Sequence, residues 1–357
     1  MFFIIIYDLI NTLRMSKKKL LIISLKNKLL PKFRVFIKNY WQKNHIFSKK
    51  NNVIKWYYYS KTQKKFNLYI ANYNSKIVGI QGFIPFKLFD NKLNYNPIFL
   101  AFWRVIKTDL IGLGYLIHKK IIKSNKPSFV GVIGINDDLL NFHKWQGFVV
   151  KEMDHFVYIS PHKKKFKILN IKNNKKKSNF KKQKYKIVLL DKLKLFNKIN
   201  NEIFNFQTPI KSKKYLINRY MKNPFYKYEI FLINFNDKEQ SILVIRKIKY
   251  RKTSVIKIVD YIGSNSNFKK LDFFMSLMLK NNQSEFIDIY SYGIPKKNIF
   301  AAGFKEVKLN SKIIVPNHFE PMENKNIKIN CAYKIFTGKN NVRIFRGDGD
   351  GDRPSKI

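Results

Sequence analysis

The chain has 357 residues, 45% hydrophobic and 16% aromatic, which excludes disorder over its whole length and at this size favours two domains. Its formal net charge is +49, but the basic residues are spread along the chain amid heavy use of Asn, Ile, Phe and Tyr, the residues of AT-rich codons. That pattern argues against a dedicated nucleic-acid footprint, while the field still concentrates small anions and acidic lipid headgroups. A single cysteine, Cys331, excludes an internal disulfide and a multi-cysteine metal site and suits a cytoplasmic setting.

Taken in chain order, Met1–Ile10 is apolar but too short to cross a bilayer, and it lacks the basic flank of a signal peptide. Residues 1–32 read as an N-terminal extension. The run Leu20–Ile37 predicts an amphipathic helix, packed on its own domain or, as a second expectation, lying peripherally at the inner face of the membrane. Helical spacing follows at Val53–Tyr58, then strands at Phe66–Tyr73, Lys76–Pro85 and Ile98–Ile106, a helix over Leu113–Lys123, a strand over Phe129–Ile135, and a short helix closing in Gly147-Phe148. Residues 161–184 are polar and Lys-dense and read as a solvated linker, with Phe166–Ile171 offering a short strand.

Beyond the linker the same order returns. A helical stretch at Tyr215–Tyr220 precedes strands at Tyr228–Phe235, Ser241–Tyr250 and Val255–Ile262. A helix over Leu271–Lys280, a strand over Phe286–Tyr290 and a short helix ending in Gly303-Phe304 complete it. The expected class is therefore α/β, with a mixed (α+β) sheet in each of two tandem domains, 33–160 and 185–340, followed by an acidic Gly/Asp tail, 341–357. A Rossmann unit is excluded, because antiparallel strands precede the first crossover and no G-x-G-x-x-G follows the first strand.

The segment with the most chemistry is Ile98–Phe148. An aromatic, apolar strand runs into Lys107-Thr108-Asp109-Leu110-Ile111-Gly112-Leu113-Gly114, where a helix begins. Glycines at a strand-to-helix turn let backbone N–H groups face outward, and the helix N-terminus adds partial positive charge, a combination suited to pyrophosphate. Downstream, Asn136 is followed seven residues later by His143, next to Phe142, and then by Gly147-Phe148.

Here the sequence resembles the GNAT superfamily of acyl-CoA N-acyltransferases, over most of 33–160 and more faintly over 185–340. The resemblance implies that the backbone of Arg104, Val105 and Ile106 holds the pantetheine amides, and that Ile111, Gly112, Leu113 and Gly114 cradle the pyrophosphate. Asn136 and Phe142 complete the coenzyme site, acetyl-CoA or another acyl-CoA is the donor, and His143 stands where many members place a Tyr as general acid. Two positions depart from the family pattern. Asp109 replaces the usual Arg or Gln and is expected to cap the helix. No carboxylate stands on the strand Ile98–Ile106, which leaves Asp154 and His155 as candidate bases.

In the second domain the glycine turn is missing, so a lost coenzyme site and a scaffolding or acceptor-side role are expected. Asp260 and Asp288 interrupt apolar strands and require partners there. The tail Gly347-Asp348-Gly349-Asp350-Gly351-Asp352 has the spacing of the start of a calcium loop without the closing Glu, so docking of the tail near the substrate site is expected instead of metal binding. Similar endings occur on tandem GNAT-like proteins associated with bacterial surface-polysaccharide synthesis, and this resemblance implies an amino-sugar or nucleotide-sugar acceptor. The alternatives are a Fem-type enzyme using aminoacyl-tRNA and a degenerate GNAT-like binding protein.

Overall fold

The computed structural model describes residues 20–171, 185–235, 239–250, 252–317 and 323–353. Met1–Ile10 and most of the expected linker lie outside the described residues. The chain forms two compact units, one from residues up to Pro85 together with Ile98–Pro127, the other from Phe86–Pro97 and Ser128–Pro354.

In the first unit, β1 (Leu20–Ser24) is followed by helices α1 (Leu30–Tyr40), α2 (Ile46–Lys49) and α3 (Asn51–Tyr58). A two-residue hairpin, β2 (Tyr59–Ser60) with β3 (Lys65–Phe66), leads to β4 (Leu68–Tyr73), β5 (Lys76–Pro85), β6 (Pro97–Val105) and helix α4 (Leu113–Asn125). Strands β1, β4, β5 and β6 pair antiparallel in that order. The helix expected over Leu20–Ile37 thus begins as a strand and turns α-helical only from Leu30. Leu20-Leu21-Ile22-Ile23 is β-forming and completes the ladder on β4, and the helix starts at Leu30 with Pro31 in its first turn.

The second unit contains β7 (Phe129–Ile135), α5 (Leu140–Trp145), β8 (Val149–Glu152), β9 (Asp154–Ile159) and β10 (Lys186–Leu189). It continues through α6 (Lys213–Leu216), β11 (Glu229–Asn234), β12 (Gln240–Tyr250), β13 (Thr253–Gly263), α7 (Asn265–Phe268) and α8 (Asp272–Asn281). It ends with β14 (Ser284–Tyr292), α9 (Lys296–Ala301), β15 (Lys305–Glu306), β16 (Asn330–Ile335) and β17 (Ile344–Phe345). The main sheet runs β10-β11-β12-β13-β14-β9-β15, with β17 also on β14. Among the described strands of this sheet, β13 and β14 pair in parallel and the others antiparallel, and the crossover through α8 joins the parallel pair. Its core packs Ile256, Ile258, Ile287 and Ile289 against Phe268, Met275 and Leu279.

The two sequence repeats exchange strands. After Gly147-Phe148 the chain makes β8 and then β9, but β9 leaves to lie between β14 and β15. After Gly303-Phe304 it makes β15, and β16 returns to lie between β7 and β8. Segments from either side of the expected linker are therefore joined by two reciprocal sets of backbone hydrogen bonds. The segment 161–171 is anchored, with the buried Glu285 carboxylate accepting from the amides of Lys167, Ile168 and Leu169 at 2.8–3.1 Å. Phe166–Ile171 forms no strand, only a bridge from Asn170 to Ile314.

Candidate functional site

Seven of the expected site residues fall on one strand-turn-helix of the first unit. Strand β6 is bulged. Gly82 pairs with Ala101 but Ile80 pairs with Arg104, and Phe102 takes φ +61. A bulky residue in the left-handed region is strained. Here the cost is offset by packing, since the Phe102 ring stacks on Trp41 at 4.5 Å and touches Phe33, His45, Phe47 and Tyr58. The bulge re-aims the end of the strand. Past it, the Ile106 N–H donates to the Val78 carbonyl at 3.0 Å. Of the three residues expected to offer backbone to pantetheine, Ile106 has thus spent its amide on β5, and alternation turns the groups of Val105 away from that strand.

The turn that follows is open. Ile111 is 69% exposed, and Gly112 caps α4 at φ +73 with nothing within 4 Å of where a Cβ would stand. Its carbonyl accepts the first helical bond, from Leu116, so the amides of Leu113 and Gly114 precede that bond and lie at the positive end of the helix. Arg104 and Lys107 are exposed on the same segment. The two glycines serve different ends. Gly112 is needed for its backbone conformation, whereas a Cβ on Gly114 would stand 3.0 Å from the Trp103 indole, so Gly114 serves packing. Contrary to the expectation from sequence, Asp109 does not cap the helix. Gly112 occupies that position without a side-chain cap, and Asp109 accepts a hydrogen bond from the Tyr73 hydroxyl at 3.1 Å.

The remaining expected site residues lie in the second unit. Asn136 is exposed at the end of β7 and starts the turn into α5, which carries Phe142 and His143. His143 is 1% exposed, set edge-on to Phe142 and Phe148, and burial pushes its pKa down to about 4. The neutral form is favoured there, and the ring packs against Phe142 and Phe148. Asp154 and His155, the candidate bases, are engaged in the main sheet. Asp154 pairs with Lys296 at 3.0 Å. His155 stacks on Tyr290 at 3.8 Å and faces Asp288 at 3.3 Å, and burial again pushes its pKa down to about 4.

The second repeat has its own wedge. β13 and β14 pair only as far as Ile258 and Ile289, although they run on to Gly263 and Tyr292. The chain's own tail occupies the opening. β17 pairs with Ser291 and Tyr292, Arg343 donates to the Gly263 carbonyl, and a Cβ on Gly347 would stand 2.9 Å from the Val259 carbonyl oxygen. Buried charges fasten it. Lys211 bridges Asp260 and Asp348 at 2.6 Å each, Tyr220 donates to Asp260, Arg219 holds Asp352 at 2.9 Å and Tyr228 donates to Asp352. Burial would lower the Lys211 pKa, but the two carboxylates outweigh it and hold it above the ordinary value. Asp350 pairs with Arg353, so each tail carboxylate has a cation of the chain, and no cluster of metal-ligating side chains occurs among the described residues. Asp288 is satisfied by Lys257 at 2.9 Å. Burial would raise its pKa, but Lys257, His155 and Arg346 hold it below the usual carboxylate range.

Sequence reading missed Phe102, because a bulge leaves no mark on hydrophobic alternation, and it missed Lys211, which sits in an unremarkable basic run, Lys211-Ser212-Lys213-Lys214.

No protein-family profile matches the chain, and no curated protein matches its sequence. Solved structures do match its fold. A GCN5-related N-acetyltransferase from Anabaena variabilis is similar at TM-score 0.52 and 10% identity, over 89% of this chain and 73% of that one. A GCN5-related N-acetyltransferase from Kribbella flavida is similar at TM-score 0.50 and 6% identity, over 89% and 71%. The fold is that of GCN5-related N-acetyltransferases, along most of the chain.

Proposed function

We propose that the protein is an acyl-CoA-dependent N-acyltransferase whose coenzyme site is the β6–α4 turn. The observation that carries this reading is the open, left-handed Gly112 at the N-terminus of α4, after a bulged strand and on a segment that exposes Arg104 and Lys107. That assembly suits a pyrophosphate, through outward amides, the helix end and two exposed cations. The acyl group passes directly: the amine attacks the thioester carbonyl, the C–N bond forms as the C–S bond breaks, the electron pair leaves on sulfur, and the proton shed by the nitrogen reaches the thiolate through solvent.

Burial lowers the pKa of both His143 and His155, which makes each a poor proton acceptor from an ammonium, and Asp154 is held by Lys296. The reading therefore favours an acceptor amine that is partly neutral in solution. An amino sugar, free or nucleotide-linked, meets that condition better than the more basic side chain of lysine, and the resemblance of the tail to those of surface-polysaccharide proteins points the same way. A cytoplasmic setting follows from the donor. No helix among the described residues is long and apolar enough to cross a membrane.

Titration calorimetry with acetyl-CoA tests this with a matched pair. Gly112→Asn and Gly112→Asp have the same shape and tolerate the left-handed conformation alike, but only Asp adds charge. Gly112→Asn is expected to bind within about threefold of the parent and Gly112→Asp at least about tenfold more weakly, a difference of about 1.4 kcal/mol. Equal binding by the two variants, or no binding by the parent, contradicts the reading.

A further inference from the structure

A cavity of about 240 Å³ lies within the second unit, between the segments around Tyr95, Ser128, Gln207 and Asn341. Its walls are tied together. Thr208 donates to Asn341 through both its amide and its hydroxyl, at 3.1 and 2.9 Å. The Asn96 amide donates to the Ser128 hydroxyl at 3.0 Å, and the Ser128 carbonyl accepts from Phe336 and Thr337. Gln207 lines the cavity at 1% exposure, and neither its Oε1 nor its Nε2 has a hydrogen-bond partner among the described residues. Leaving both ends of a buried amide unsatisfied costs about 1–3 kcal/mol for each group, so such a side chain calls for an explanation.

A carboxamide presents one acceptor and one donor side by side in a plane. Its complement is a flat edge with an adjacent N–H and C=O, as in a lactam or imide ring. The other walls suit a flat ring: Phe129, almost wholly buried, offers an apolar surface, and Tyr95 stands at the rim, 36% exposed. The size admits one such ring with a substituent.

We infer that this cavity is a binding site for a small planar ligand carrying a lactam or imide edge, a pyrimidine base being the representative case, with Gln207 reading that edge. None of its residues belongs to the coenzyme turn, so the inference stands apart from the acyltransferase reading. Uridine is the probe and N3-methyluridine, which lacks the imide N–H, its control. Calorimetry on the full chain is expected to show uridine binding, and N3-methyluridine binding at least about tenfold more weakly, as expected when a site's buried polar group is left unpaired. Gln207→Leu is expected to abolish that discrimination and to melt no lower than the parent. Absence of uridine binding, equal binding of the two nucleosides, or a lower melting temperature for Gln207→Leu (which would make Gln207 a support of the fold) overturns the proposal.

Discussion

Burial decides the ionisation of the two histidines that spacing singles out. His143 and His155 have their pKa values lowered from 6.5 to about 4, chiefly by burial, so between those values the folded chain binds fewer protons than the unfolded one. Whereas Asp348, whose pKa burial raises to about 6, acts in the opposite sense, these two rings by themselves make stability rise with pH across this window. The contribution is complete above about 6.5 and is lost as the pH falls towards 4, at no more than about 1.4 kcal/mol per pH unit for each histidine. Urea unfolding at pH 6.5, 5.5 and 4.5 is expected to show this loss. His143→Phe, which keeps an aromatic ring against Phe142 and Phe148, is expected to make the dependence shallower. An unchanged slope would mean that His143 is not buried as a neutral ring. The position of His143 was legible in the spacing from Asn136 to Gly147, whereas its burial was not, because that depends on how Phe142 and Phe148 enclose it. Asp260 and Asp288 were readable as carboxylates in apolar strands. Their partners, Lys211 and Lys257, come from other segments, and no local pattern names them.

Among elements, the regular strands were the most legible. Lys76–Pro85 and Phe129–Ile135 have the bounds that their apolar runs predict, because composition and turn residues delimit a buried strand. The irregular elements escaped. The bulge at Phe102 depends on an aromatic cluster drawn from α1, α2 and α3, and the tail reads as loop although it fills the β13–β14 wedge. Gly347 shows how closely the tail fits, since a Cβ there would stand 2.3 Å from the Tyr220 hydroxyl. Gly347→Ala is therefore expected to lower stability by about 1–3 kcal/mol, the usual cost of overpacking, with urea unfolding as the measurement. Gly349→Ala, whose Cβ would make only an ordinary 3.7 Å contact with Ile133, serves as control and is expected to change stability by less than about 0.5 kcal/mol. Similar losses for both variants would contradict a tail wedged at Gly347.

At the scale of the whole molecule, a repeated order of elements with matching Gly-Phe endings was visible. The exchange of β9 and β16 was not visible, because hydrophobic alternation says which face of a strand is buried but not which neighbour it pairs with. The charge of +49 gives the chain a general attraction for anions. Affinity for coenzyme A alone therefore says little, and the place where it binds is the informative quantity. Hydrogen–deuterium exchange of the full chain, with and without saturating acetyl-CoA at physiological salt, locates it directly. The account predicts added protection concentrated in residues 104–116, with little change over β13, β14 and the tail. Protection spread evenly over the basic surface, or centred on the second wedge, would contradict it.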